Sequence, residues 1–218
     1  MAATTGPTRR RLPRAEREEQ MVAAATRIFA GRGFHAASMD EIAEASGITK
    51  PMLYAYFDSK EGLFLACVEK GSRELRAQVR AAALAAPTPE RALYDGLVAV
   101  MRFVDDNDEL WSVLYPHGPA SSGTFAAAAA RAHDEMSALL TELMTMLATR
   151  RGVTDEVALE SEPLAHALTG ATIALGTWSR GRDEPVELHA LRLMNFAWMG
   201  LGDMIEGELW LPGEENPA

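Results

Sequence analysis

Side chains suited to gripping a polyanion are concentrated in one short stretch, Ser38 to Phe64, which reads SMDEIAEASGITKPMLYAYFDSKEGLF. Tyr54, Tyr56 and Lys60 offer two phenols and an ammonium, groups that suit phosphate oxygens and fix register without reading sequence. Thr49, Lys50, Pro51 and Met52 come just before, at the start of a short helix, where base edges fall within reach. Lys50 suits a guanine edge and Met52 a thymine methyl. Ser38 suits both a helix cap and a phosphate contact. Upstream, the run TRRRLPR holds Arg9, Arg10, Arg11 and Arg14, an arm for phosphates or the minor groove, or else a solubilising tail.

The elements that must hold these groups can be read from turn and cap chemistry. Ser38 with Glu41 forms a capping box, so a helix starts at Met39, with Ile42 and Ala45 on its apolar face. Gly47 ends that helix and Ile48 packs back under the turn. Thr49 caps a second helix that tolerates Pro51 in its first turn, and Leu53 and Phe57 face inward. Asp58 with Glu61 repeats the capping pattern and starts a third helix. Two short helices joined by so tight a turn have the geometry that lays a recognition helix in the major groove. Before them, a helix runs from about Arg14 to Gly31, with Val22, Ala25, Ile28 and Phe29 buried and Gly31-Arg32-Gly33 ending it.

These residues resemble the DNA-binding domain of TetR-type transcriptional regulators. The resemblance rests on Ile28-Phe29, Gly33-Phe34, Ala36-Ala37-Ser38, Ile42-Ala43, Gly47-Ile48, Leu53-Tyr54, Phe57, Ser59-Lys60-Glu61 and Leu63-Phe64, in order and spacing. It covers the first quarter to third of the chain. Pro51 stands where many relatives carry glycine, and Met52 and Ala55 occupy the variable positions that set operator sequence.

Net charge divides sharply along the chain. Up to Arg80 there are 13 Lys and Arg against 10 Asp and Glu, a net of +3, and the remainder carries 8 against 21, a net of −13. Contact with DNA is therefore expected of the N-terminal part alone. A single cysteine, Cys67, excludes an internal disulfide and reads as inert packing, consistent with a reducing cytoplasm. No apolar run reaches the ~18 residues of a membrane span, and no signal peptide is read at the N-terminus. The five histidines, His35, His117, His133, His166 and His189, are scattered, without a metal-binding spacing or a cysteine pair. No nucleophile elbow, phosphate-binding loop or dinucleotide fingerprint occurs. The expectation is no enzyme, no cofactor and no metal.

The fold class expected is all-α: a three-helix helix-turn-helix domain followed by a helical ligand-binding and dimerisation domain. The boundaries read as a basic arm at 1–13, the reader at 14–60, the second domain at 61–212 and a tail at 213–218. A linking helix spans about 58–86, with Pro87 and Pro89 marking its end and Thr88 capping the next. Further helices are expected at 89–106, 108–116, 121–151, 161–181 and 185–209, with one helical segment in the connection before Ser161.

In the last two helices Leu164, Leu168, Ala171 and Leu175 lead one stripe, and Asn195, Trp198, Gly202 and Ile205 continue another at the same spacing. Such spacing marks helices packing at shallow angles, whether inside one chain or between two. Met199 adds an apolar side. The resemblance implies that this pair makes a homodimer, which would place two recognition helices on a palindromic operator in double-stranded DNA. It also implies a small-molecule effector, apolar or amphipathic, among the middle helices. Phe103, Trp111, Tyr115, His117, Phe125, Met136, Leu140, Met144 and Trp178 are the candidate lining, each with an ordinary core position as its alternative. The function expected is a ligand-responsive, homodimeric repressor in the cytoplasm; the alternative is an effector-independent DNA-binding or architectural protein with a filled core.

Overall fold

Helix-terminating glycines and prolines alternate with apolar residues at helical spacing along the chain, and the structure follows them. The computed structural model describes residues 13–116, 124–151 and 156–205, and among these every regular element is an α-helix. They are α1 (Arg14–Ala36), α2 (Met39–Ala45), α3 (Lys50–Phe57), α4 (Lys60–Ala85), α5 (Pro89–Asp106), α6 (Asp108–Leu114), α7 (Thr124–Arg151), α8 (Glu156–Ser179) and α9 (Val186–Ile205). The chain is all-α, with an N-terminal helix-turn-helix domain followed by a helical domain. Two compact units divide at Cys67 and Val68, within α4, rather than at residues 60 and 61.

In the first unit Met21, Val22, Ala25 and Phe29 of α1 meet Ile42, Leu53, Phe57, Leu63 and Phe64 in the core. Ile42, Leu53 and Leu63 are fully removed from water, each worth roughly 1.5–3 kcal/mol of burial. Phe29, Phe34 and Phe64 form a ring triangle with centroids 5.3–5.8 Å apart. α1 breaks at Gly33, whose φ is 74°, and one more turn follows it. Cys67 is fully buried, its thiol donating to the Val22 carbonyl at 3.6 Å.

The second unit pairs α7 with α8 and α5 with α9. Leu97, Val98 and Met101 of α5, Leu168 of α8, and Ala190, Leu193 and Ala197 of α9 form one core cluster. α4 is fastened to α7 by polar contacts: Arg76 pairs with Glu135 at 3.1 Å, Ser72 donates to the same carboxylate, and Arg80 holds Glu142 with both terminal nitrogens. α8 begins at Glu156 instead of 161, and Pro163 lies inside it. The short segment expected before Ser161 is therefore the first turns of one continuous helix. The 121–151 and 185–209 helices are described from Thr124 and to Ile205.

Three caps differ from expectation. Ser38 Oγ accepts from the Asp40 amide at 3.2 Å, and Glu41 pairs with Arg32 at 2.9 Å instead of closing a box. Thr49 occupies the N-cap of α3 without a side-chain cap bond. Asp58 ends α3 at φ 60°, and Ser59 starts α4 by accepting from the Gly62 amide at 2.9 Å. Thr88 caps α5 as expected, accepting from Arg91 at 3.3 Å.

Candidate nucleic-acid interface

The turn between α2 and α3 is closed by three backbone bonds, Ser46 to Ile42, Gly47 to Glu44 and Ile48 to Ala43, each 3.0 Å. Gly47 sits at φ 65°, a region where a Cβ is strained. With Ile48 half-buried beneath this turn and Leu53 and Phe57 in the core, α3 can present only its opposite side. Thr49, Lys50, Pro51 and Tyr54 are exposed there, and Met52 and Tyr56 are half-buried. Gly62 lies so close to α3 that a Cβ would run into the Phe57 carbonyl oxygen. That tight approach sets where α4 leaves α3.

The reader's charges are engaged within it. Lys50 Nζ lies 2.9 Å from Asp40, whose hydrogen bond and charge raise the lysine above its ordinary range. The Lys50 ammonium keeps two further donors, and Asp40 is a partner that sequence reasoning did not foresee. Lys60 Nζ donates to the His35 carbonyl at 3.2 Å and lies 4.6 Å from the Phe34 ring, which leaves the ammonium two further donors. Arg14 stacks its guanidinium 5.1 Å from the Tyr56 ring. Ser38 is exposed beside the α2 N-terminus. Arg9, Arg10 and Arg11 lie outside the described residues.

In the second unit, a cleft of about 500 Å³ opens between Tyr115 and Pro116, Ala126 and Ala129 of α7, and Gly170, Ile173, Ala174 and Thr177 of α8. Among the described residues its lining carries no charged side chain. Trp111 lies behind them, donating from Nε1 to Thr177 Oγ1 at 3.1 Å, with its ring 4.6 Å from that of Tyr115. Burial pushes the Tyr115 phenol up to about 12, against the opposing charge of Arg76.

Comparison with known proteins bears on both regions. The family described as "Bacterial regulatory proteins, tetR family" matches residues 21–67. A TetR-like transcriptional regulator from Rhodococcus sp. RHA1 is 34% identical, with 88% of this chain and 99% of that one aligned at a TM-score of 0.70. The chain belongs to the TetR family of transcriptional regulators.

Among curated relatives, the HTH-type transcriptional activator FasR of Mycolicibacterium smegmatis is 36% identical over 105 residues, 48% of each protein. The chain spans about half the length of such relatives. The fatty acid degradation regulator FadR of Bacillus halodurans shares the fold at a TM-score of 0.75 and 18% identity, covering 87% of this chain and 98% of that one. FadR of Bacillus subtilis, solved with stearoyl-CoA, shares it at 0.71 and 14%, covering 82% and 96%.

Within this TetR-family framework most of the expected lining residues lie away from this cleft. Tyr115 stands on the cleft wall, but Phe103, Trp111 and Met136 are buried core. Leu140 and Met144 pack against the α5–α8–α9 cluster. Trp178 is 49% exposed, with the Arg182 guanidinium 3.7 Å over its ring. Large rings and thioethers fill the space between helices because they bury the most area. The cleft remains where alanine and glycine leave space, at the Ala126–Ala130 run and Gly170. His117 and the side chain of Phe125 lie outside the described residues.

The expected dimer stripe divides similarly. Leu164, Leu168, Ala171 and Leu175 pack into the chain's own α5–α8–α9 core, because a helix buried between two others shows the same spacing as one at a bundle seam. Asn195 is exposed, as are Leu191 at 47% and Phe196 at 73%. The side chains of Trp198, Met199, Gly202 and Ile205 lie outside the described residues. Among the described residues no helix is long and apolar enough to cross a membrane.

Proposed function

We propose that the chain is a cytoplasmic, homodimeric transcriptional repressor that binds a palindromic operator and is released by an apolar or amphipathic small molecule. The observation that carries the DNA-binding part is the outer side of α3, where Thr49, Lys50, Pro51 and Tyr54 stand exposed over a buried Leu53–Phe57 side. Lys50 and Met52 read bases; Tyr54, Tyr56, Lys60, Ser38 and the arginines at 9, 10, 11 and 14 hold phosphates. The exposed Leu191 and Phe196 of α9 support a partner surface on the second unit.

The effector reading rests on the uncharged cleft. A chain of methylenes suits walls of alanine, glycine and isoleucine, and the stearoyl-CoA held by the Bacillus subtilis neighbour agrees with that chemistry. α4 contributes residues to both units, so a ligand that favours one position of its C-terminal part biases Lys60 at its start. Operator binding by the purified chain, measured with and without candidate ligands, tests the reading. Loss of operator affinity on ligand addition supports it; indifference to every ligand that occupies the cleft overturns it and leaves effector-independent binding. The similarity to FasR favours activation as a second reading. A promoter fusion separates the two, because deletion of the gene raises expression from a repressed promoter and lowers it from an activated one.

A further inference from the structure

Two imidazoles on α7 and α8 are left unused by the DNA-binding side and by the cleft lining. His133 and His166 bring their ring centroids to 5.5 Å, with planes 31° apart. Both are half-buried, and among the described residues neither ring makes a hydrogen bond or an ion pair. Beside them the Ser137 hydroxyl donates to Thr169 Oγ1 at 3.1 Å in a fully dry contact, which fixes the register of the two helices. The rings are thus positioned by packing, not by a chemical partner of their own.

Their spacing has a chemical meaning. A tetrahedral ion holding two imidazole nitrogens at about 2.1 Å sets the ring centres about 5 Å apart. The observed separation of 5.5 Å is close to that value. We propose that His133 and His166 form a two-imidazole site for a divalent late transition-metal ion, Zn(II) being the fitting case, which bridges α7 and α8. Neutral imidazole suits zinc, copper and nickel and discriminates against magnesium and calcium. Two protein ligands leave two tetrahedral positions for water or for an added oxygen or nitrogen donor.

The surroundings favour an added donor. Ala129 lies one turn before His133, and Gly170 one turn after His166; both are in the cleft wall. Residues four apart share a helix face, so the imidazole pair and the cleft occupy the same α7–α8 groove. Sequence reading missed the pair because its two members sit on different helices with no local motif. Only the packing of α7 on α8 brings them together.

The test is a Zn(II) titration of the tag-free full chain against a chromophoric chelator. One ion per chain is expected, and H133A and H166A should each weaken binding at least about tenfold, since losing one of two direct ligands exceeds the loss of a residue that only orients a ligand. Absence of binding, or unchanged affinity in both variants, overturns the site. Imidazole NMR of the unsubstituted chain provides a measurement that does not depend on how the variants fold. Zn(II) should shift two of the five histidine signals, assigned through H133Q and H166Q, and a shift confined to any other histidine overturns the site as well.

Discussion

The two units of this molecule obey different kinds of rule. In the first, position follows from local chemistry: Gly47 can adopt φ 65°, Ser59 caps α4, and Gly62 lets α4 pass close to Phe57. In the second, position follows from volume: Trp111, Phe103 and Met101 fill the space between helices, and a cleft remains where alanine and glycine stand. Local rules tie a function to particular residue types at fixed spacings. Volume rules allow many residue sets to build the same helices, so the binding chemistry there is free to vary.

The largest expected effects probe that contrast directly. Trp111→Ala should cost about 3–5 kcal/mol, because a fully buried indole leaves a cavity and strands Thr177. Leu53→Ala should cost about 2–5 kcal/mol in the reader. Chemical denaturation followed with unit-specific probes reads both. If either substitution lowers both units equally, the units unfold together and the contrast is structural but not thermodynamic. Gly62→Ala should also abolish operator binding while leaving the second unit's probe unchanged, since its Cβ would meet backbone rather than a yielding side chain.

The second comparison sets the cleft against the reader. Ala174→Trp places an indole in the cleft wall and should remove the response to an apolar ligand while operator affinity stays within about twofold. A retained response would move the effector site away from α8. Lys50→Ala should relax preference at one base position by about 1–3 kcal/mol, whereas Tyr54→Phe and Lys60→Ala should weaken all sequences alike. Titrations across a panel of single-base operators read the difference. Equal loss of preference in all three variants would show that phosphate and base roles are misassigned.

How much was legible follows the same division. Helices α2 to α6 were readable within a few residues, because Gly47, Thr88, Pro87 and Pro89 act on their own neighbours, whereas α1, expected to end at Gly31, kinks at Gly33 and runs on to Ala36. The reader's exposed side was legible for the same reason. The Asp40 partner of Lys50 was not, since it depends on the angle between α2 and α3. Aromatic and methionine side chains serve core and pocket equally well, so the sequence left both readings open for Phe103, Trp111 and Met136, and the structure buries all three. Leu164, Leu168, Ala171 and Leu175 were taken toward a dimer seam because a helical stripe does not reveal which neighbour it faces. Pro163, at the third position of the helix expected at 161–181, lies well inside α8, which begins at Glu156.

The smallest effect concerns the polar rim of the second unit. Arg180 hydrogen-bonds Asp108, and that contact, more than its charge and against burial, holds the aspartate below the ordinary carboxylate range. A folded pKa below the unfolded value of about 3.9 stabilises the fold above that pH, and the contribution is lost as pH falls through the folded value. Asp108→Asn removes the titration while keeping an acceptor for Arg180. The variant should therefore be slightly less stable than the native chain at neutral pH, and the gap should close as pH falls below the ordinary carboxylate range and the native aspartate takes up a proton. Because the Asp108 side chain is 59% exposed, solvent screening keeps the gap at or below about 1 kcal/mol. Melting temperatures of the two chains between neutral and acid pH measure it. A gap that widens toward acid would reverse the sign and show that Asp108 is stabilised in its protonated form.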